Sequence, residues 1–80
     1  MKDLLEFMVK NIVSKPEEVE IEEKTDSENV LELSLKVSHE DMGLVIGKGG
    51  KVIKAIRQLI RTKAILENKR VNLVLVENQA

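Results

Sequence analysis

Hydrophobic residues recur with a helical period in three stretches of this chain. In the first, from about Asp3 to Ser14, they repeat at i, i+4 and i+8 in two adjacent columns, which is typical of an amphipathic helix. Pro16 disfavours helical geometry at the residue before it and therefore ends this helix. Phe7, the only aromatic residue, lies beside the stripe and is expected at the rim of the core. A short helix is predicted from about His39 to Ile46, and a long one from Lys51 to Glu67.

A period of two predicts three strands. Residues 19–22 alternate apolar and acidic side chains, and residues 31–37 place four apolar side chains on one face and three polar ones on the other. Turn-forming residues at 26–29 separate these two strands, so we expect an antiparallel hairpin. Asn68 tolerates the left-handed conformation that stops a helix, and the β-rich residues 71–76 then form the third strand.

The predicted order of elements is α-β-β-α-α-β. A strand that returns after a helical crossover runs parallel to one of its neighbours, so the fold class is α+β, with three helices on one face of a three-stranded mixed sheet. Ser38 and Asp41 stand in the register of a capping box that would start the second helix. The chain is long enough for one domain with one core, and we expect residues 1–80 to form it.

The long helix has two predicted faces. At 100° per residue, one arc of the wheel collects apolar side chains that should pack on the core: Val52, Ala55, Ile56, Leu59, Ile60, Ala64 and Leu66. The adjoining arc collects Lys51, Lys54, Arg57, Gln58 and Arg61, with no acidic residue. Ile53 falls at the border, where it would line a groove. Lys63 and Ile65 fall on the wrong arcs, and exposed apolar residues there would indicate a protein partner.

Net charge is −1 over the whole chain, but its distribution is uneven. Residues 1–47 carry five basic and twelve acidic side chains, a net charge of −7, whereas residues 48–80 carry eight basic and two acidic ones, a net charge of +6. Such an asymmetry indicates a polyanionic partner such as nucleic acid. With no cysteine and one histidine, no metal site or cofactor is expected, and the absence of a long apolar run favours a soluble, cytoplasmic protein.

Three of the four glycines lie in Val45-Ile46-Gly47-Lys48-Gly49-Gly50-Lys51-Val52-Ile53. Glycine tolerates positive φ and close backbone approach, and the helix that follows directs N–H groups at the loop, so the stretch predicts a phosphate-binding site. A nucleotide P-loop needs four residues between its glycines and a hydroxyl after the lysine, and neither is present. A dinucleotide-binding loop needs a small residue where Val52 stands, and a strand before the loop. The remaining interpretation is Gly-x-x-Gly, from Gly47 to Gly50, as the turn between two helices.

Aliphatic residues on both sides of this turn make residues 42–57 resemble the core of a KH domain, whose loop clamps the backbone of about four nucleotides. The element order resembles the type II KH arrangement, and the length resembles the small stand-alone bacterial KH proteins of the KhpA family. The resemblance implies RNA binding, and it further implies an RNA chaperone that acts with a second, larger KH-containing protein of the KhpB/Jag type and affects cell shape and envelope synthesis. It also implies possible self-association.

We expect the RNA backbone to cross Gly47 to Gly50, with Lys48, Lys51, Lys54 and Arg57 supplying positive charge. The predicted aliphatic floor under the bases consists of Val45, Ile46, Val52 and Ile53. Aromatic stacking, which contributes about 1–3 kcal/mol per base elsewhere, is absent from this site because the only aromatic residue is remote in the sequence. Binding should therefore be weak, salt-sensitive and poorly sequence-specific.

Other interpretations of these residues remain open. The glycine loop could be a plain turn, and the chain could be a protein-interaction or dimerisation module with little RNA affinity of its own. The acidic run at residues 17–23 is better explained as a solvated strand face than as a metal site, and His39 as a solvent-exposed residue than as a general base. Paired carboxylates, a nucleophile and a metal-binding set do not converge near the loop, so enzymatic activity is not expected.

Overall fold

The computed structural model of the protein describes residues 1–76, and its element order is the predicted α-β-β-α-α-β. Single 3₁₀ turns at Pro16–Glu18, His39–Asp41 and Lys48–Gly50 connect these elements. The helices and strands are α1 (Lys2–Lys10), β1 (Glu20–Thr25), β2 (Val30–Lys36), α2 (Met42–Ile46), α3 (Lys51–Leu66) and β3 (Arg70–Leu75).

The sheet is mixed, as predicted, with β2 in the centre. Strand β1 pairs antiparallel with β2, and β3 pairs parallel with it, Leu33 lying opposite Leu73. The hairpin turn is held by the carboxylate of Asp26, which accepts hydrogen bonds from the backbone N–H groups of Glu28 (2.8 Å) and Val30 (3.0 Å). Asn29 takes a positive φ of 63° there, a conformation that asparagine tolerates better than most residues.

The core lies between the sheet and the three helices. Leucines of β2, Leu33 and Leu35, lie at its centre, and α1 contributes Leu5 and Val9. Helix α3 contributes a narrower stripe than predicted, namely Ile53, Ile56, Ile60 and Ala64. The spacing of this stripe, i, i+3, i+7 and i+11, is one side of a helix that lies on a sheet of only three strands.

The predicted packing face of α3 is therefore wrong at three positions. Ala55 is exposed, as are Leu59 (55%) and Leu66 (79%), whereas Ile53, expected at a groove, is buried. The apolar arc on the helical wheel spans 180°, but the sheet covers only half of it. Helix α1 packs beside α3 and leaves the other half open.

Two predictions about α1 are also corrected. The helix ends at Lys10 and not at Ser14, and the side-chain amide of Asn11 donates a hydrogen bond of 2.6 Å to the carbonyl of Phe7 in its last turn. Phe7 is 69% exposed and is not at the rim of the core. It points away from the sheet because it lies about half a helical turn from the buried Leu5 and Val9.

Asp41 is buried but does not form the predicted capping box, because neither its side chain nor that of Ser38 caps a helix. The carboxylate accepts four hydrogen bonds of 2.7–3.0 Å, from the N–H and hydroxyl of Ser14, the N–H of Lys15 and the hydroxyl of Ser38. These bonds, those from Ser14 first, lower the pKa of Asp41 to about 2. Asp41 thus fastens the segment after α1 to the start of α2.

Candidate nucleic-acid interface

The turn between α2 and α3 depends on Gly47 for its packing. Gly47 has φ 76° and ψ 170°, a backbone conformation essentially restricted to glycine. A Cβ at this position would lie 2.9 Å from the backbone nitrogen of Val52 and closer still to the Val52 side chain. The N–H of Gly47 meanwhile donates to the carbonyl of Gly43 at 2.9 Å and closes α2. The first glycine of Gly-x-x-Gly is therefore required by the fold itself.

The other two loop glycines are different. Gly49 and Gly50 also have positive φ, 64° and 76°, but no heavy atom lies within 4 Å of a Cβ built on either of them. Their surroundings are open, so their backbone is accessible from solvent. This bare turn leads directly into Lys51, the first residue of α3, where N–H groups at the start of a helix favour an anion.

Cations around the loop lack carboxylate partners. Across residues 1–76, the salt bridges with N···O distances up to 4.0 Å use Lys10, Lys15, Lys63 and Lys69. None of them involves the cations of the loop and of the basic side of α3, which are Lys48, Lys51, Lys54, Arg57 and Arg61. Unpaired cations of one sign along one track favour a polyanionic ligand.

The ion pair at the other end of α3 makes the contrast clear. Lys63 Nζ lies 3.1 Å from Glu67 Oε2, and Lys69 Nζ lies 3.6 Å from Glu67 Oε1. The hydrogen bond from Lys63 is the main cause that lowers the pKa of Glu67. These two lysines are therefore compensated within the molecule, whereas the cations near the loop are not.

The predicted aliphatic floor divides into core and surface. Val45 is fully buried and Ile53 is 6% exposed, so both support the loop from the core. Val52 packs under Gly47 and otherwise faces α1. Ile46, at 38% exposure, is the member of the set that presents a substantial apolar surface beside the loop.

Strand β3 contributes a part of the site that sequence analysis missed. Its outer edge lies beside the basic side of α3, and the two elements enclose a small groove of about 30 Å³ lined by Arg57, Ile60, Arg61, Val71, Asn72 and Leu73. Arg57 crosses this groove, because its Nε–H donates a long hydrogen bond of 3.4 Å to the carbonyl of Leu73. Arg61 was visible in the basic arc of the wheel, but nothing in the sequence indicates which strand faces it.

A second groove lies on the opposite side of α3. It is open and almost entirely apolar, has a volume of about 390 Å³, and is lined by Met8 and Ile12 of α1 and by Lys51, Val52, Ala55, Ile56 and Leu59 of α3. Ile65 and Leu66, at the end of α3, are exposed as well. This exposure is the feature expected of an assembly surface.

Two further features were searched for in residues 1–76. No group of three or more His, Cys, Asp or Glu side chains in this part of the chain is arranged to hold a metal ion. Among the same residues, no helix has both the length and the apolar character needed to cross a membrane.

Comparison with known proteins agrees with this geometry. The family model described as KhpA/KhpB, KH domain, matches residues 2–75. The RNA-binding protein KhpA of Clostridium perfringens is 51% identical over 71 residues, which cover 89% of this chain and 93% of the relative. The protein of the same name from Chlamydia trachomatis is 42% identical over 79 residues, which cover 99% of this chain and all of the relative.

Among solved structures, the chain is similar to Era in complex with MgGDPNP and nucleotides 1506–1542 of 16S ribosomal RNA. The TM-score is 0.60 at 21% sequence identity, and the match covers 95% of this chain but only 30% of the Era chain. A variant of Aquifex aeolicus Era bound to GDP·AlF4⁻ gives a TM-score of 0.59 with the same coverage. These structures share the fold, and the sequence matches extend the agreement to the family: the chain belongs to the KhpA/KhpB family of KH domains.

Proposed function

We propose that this protein binds single-stranded RNA and holds its backbone at the Gly47–Gly50 turn. The observation that carries the proposal is the set of unpaired cations around that turn, Lys48, Lys51, Lys54, Arg57 and Arg61. An acidic protein gains nothing for solubility from such a track, and solvated faces usually mix charges of both signs. That relatives are named RNA-binding proteins supports the proposal.

Each part of the site has a separate role in this mechanism. The open backbone at Gly49 and Gly50 lets a phosphate approach the start of α3, and Lys48 and Lys51 neutralise it. Lys54 lies about one turn further along α3 and meets the next phosphate. Ile46 and the groove beside β3 offer apolar surface to the bases, which need not stack on aromatic rings.

A double substitution tests this mechanism. Lys48→Asp with Gly49→Asp should abolish binding to a pool of single-stranded RNA, because two carboxylates replace a cation where phosphate would lie. The fold should survive, since Gly49 has open space around it and Asp tolerates positive φ. Lys24→Asp with Ser27→Asp on the hairpin makes the same change of charge away from the loop and should retain binding. If the loop variant is folded by circular dichroism and binds as well as the parent, the loop is only a turn.

Within the cell, the proposed role is that of an RNA chaperone or post-transcriptional regulator. The absence of an aromatic platform favours broad binding over recognition of one sequence. Crosslinking in the native organism, followed by sequencing of bound RNA, would identify many transcripts if this role is correct. Recovery of one transcript class alone would argue for a dedicated regulator.

A second role, self-association through α1 and α3, is favoured by the apolar groove. The groove and the exposed Leu59 and Leu66 form one face that does not include the basic track. In an antiparallel pairing of two α3 helices with the two-fold axis at Leu59, Lys51 lies opposite Glu67 of the copy, and Val52 lies opposite Leu66. This complementarity of charge and shape is what an isologous contact requires, and it leads us to propose a second copy of the chain as the occupant.

Analytical ultracentrifugation tests the second role. The parent should sediment as a dimer at micromolar concentration, and Leu59→Lys should sediment as a monomer, because burying a lysine against the apolar groove is costly. Leu44→Lys changes another exposed leucine, on α2, and should leave the dimer intact. A parent that is monomeric at all concentrations, or that pairs only with a different KH-containing protein, would exclude the homodimer.

A further inference from the structure

Arg57 differs from the other cations of the site because the protein holds it in place. Its Nε–H donates to the backbone carbonyl of Leu73, at 3.4 Å, across the groove between α3 and β3. Lys48, Lys51 and Lys54 make no hydrogen bond or ion pair with the described part of the protein. Arg57 makes no other polar contact there, so its two terminal amino groups remain unpaired.

A guanidinium held through Nε presents its terminal N–H groups as an oriented planar donor set. Its best match among the bases is guanine, whose O6 and N7 form a pair of acceptors on one edge and are read by arginine in a bidentate manner. Uracil and cytosine have no N7, and adenine has an amino group where guanine has O6. The geometry points to Arg57 as a specificity-determining residue that selects guanine. This inference rests on the proposed RNA-binding function and adds base selectivity to it.

The position of Arg57 suits this role. Arg57 lies six residues beyond Lys51 in α3, about 9 Å along the helix axis, which is within reach of a base whose backbone crosses the loop. The groove of about 30 Å³ is too small to enclose a base. The base would therefore lie over the groove, with Ile60 and Val71 below it and the edge that carries O6 and N7 facing Arg57. None of the residues lining the groove is acidic, so no carboxylate competes for the guanidinium.

A role limited to charge makes a different prediction. Lysine supplies the same charge as arginine but lacks the planar fork, so a purely electrostatic Arg57 would tolerate lysine. Lys54, which has no partner that orients it, serves as the matched control. Removing its charge should weaken binding to all RNAs by the same factor.

The experiment uses three RNAs of about eight nucleotides at low salt: oligouridylate, the same RNA with one central guanosine, and the same RNA with 7-deazaguanosine at that position. Fluorescence anisotropy gives the affinities for the parent, Arg57→Lys and Lys54→Gln. The parent should prefer the guanosine RNA about tenfold, and 7-deazaguanosine, which lacks the N7 acceptor, should remove most of that preference. Arg57→Lys should bind all three RNAs equally, whereas Lys54→Gln should bind each more weakly and keep the preference.

The possible failures can be told apart. If the parent binds all three RNAs equally, or if Arg57→Lys keeps the preference, the inference is wrong while RNA binding stands. If the parent binds none of them, the proposed function fails and the inference fails with it. The comparison of guanosine with 7-deazaguanosine uses only the parent, so it decides the matter even if Arg57→Lys does not fold.

Discussion

At the scale of single residues, the three glycines of the loop have unequal roles. The sequence motif treats Gly47 and Gly50 as a pair, but the structure shows that Gly47 is packed against Val52 and that Gly49 and Gly50 are not packed at all. Only the first position is closed to a Cβ by contact. The others need an unusual backbone conformation, which a few residue types other than glycine tolerate.

Substitutions at Gly47 and Gly49 should therefore differ in their effect on stability. Gly47→Ala combines a contact with Val52 and a glycine-only conformation, so we expect a loss of about 2–4 kcal/mol in the free energy of unfolding. Gly49→Asn should cost less than about 1 kcal/mol, since asparagine accepts the left-handed conformation. Urea unfolding of both variants measures the difference. Equal losses would mean that the packing of Gly47 is not what makes it indispensable.

Asp41 should make the protein sensitive to acid. Its pKa is about 2 in the folded protein against an ordinary value of 3.8, so the folded state favours the charged form. The stability from this carboxylate is complete above about pH 4 and is lost as pH falls towards 2. In Asp41→Asn the melting temperature at neutral pH should fall by at least about 5 °C. The variant should also lose less stability than the parent between pH 4 and pH 2, as thermal unfolding across that range would show.

At the scale of elements, α3 has three faces where the sequence predicted two. Its length and period were predictable because apolar residues recur at helical spacing. The division of the apolar arc was not, because it depends on which neighbours cover the helix. Ile53 is buried because the sheet lies under it, and Leu59 is exposed because α1 stops short of covering it. Helical periodicity shows that residues share a side of the helix but not what lies against that side.

The basic face of α3 should determine how RNA binding depends on salt. Each phosphate neutralised on a single strand adds roughly −0.7 to the slope of log K against log salt, and two to four contacts predict a slope of about −1.5 to −3. Lys54→Gln should reduce the magnitude of that slope by about 0.7. Lys63→Gln should leave it unchanged, since Lys63 is paired with Glu67. Binding that does not respond to salt would show that these cations are not in contact with phosphate.

At the scale of the whole molecule, the topology was predicted correctly and the binding surface only in part. The switches between periods of 3.6 and 2 are strong enough to give α-β-β-α-α-β, and the crossover predicts the parallel pairing of β2 with β3. The groove between Arg57 and Leu73 could not be predicted, because it joins residues that only the packing of α3 on the sheet brings together. The same holds for the contact of Asp41 with Ser14.

The two faces of α3 should make a dimer bivalent for RNA. In the antiparallel pairing proposed above, each loop lies about ten residues from the two-fold axis, so the two loops are about 30 Å apart. Leu59→Lys should leave the affinity for a short RNA unchanged but lower the affinity for an RNA long enough to reach both loops by about tenfold or more. Titrations with RNAs of increasing length provide the measurement. A variant that loses affinity for short RNA as well would place Leu59 in the RNA site.

The parallel pairing of β2 with β3 also has a consequence for the order in which the protein is made. The β1–β2 hairpin is local and can form as soon as both strands have left the ribosome, whereas the crossover through α2, the loop and α3 closes only when β3 has been synthesised. Both the groove at Leu73 and the support beneath the loop depend on that last closure. A nascent chain cannot seat a transcript in the completed groove until its final strand has emerged, which separates its own synthesis from its binding to RNA.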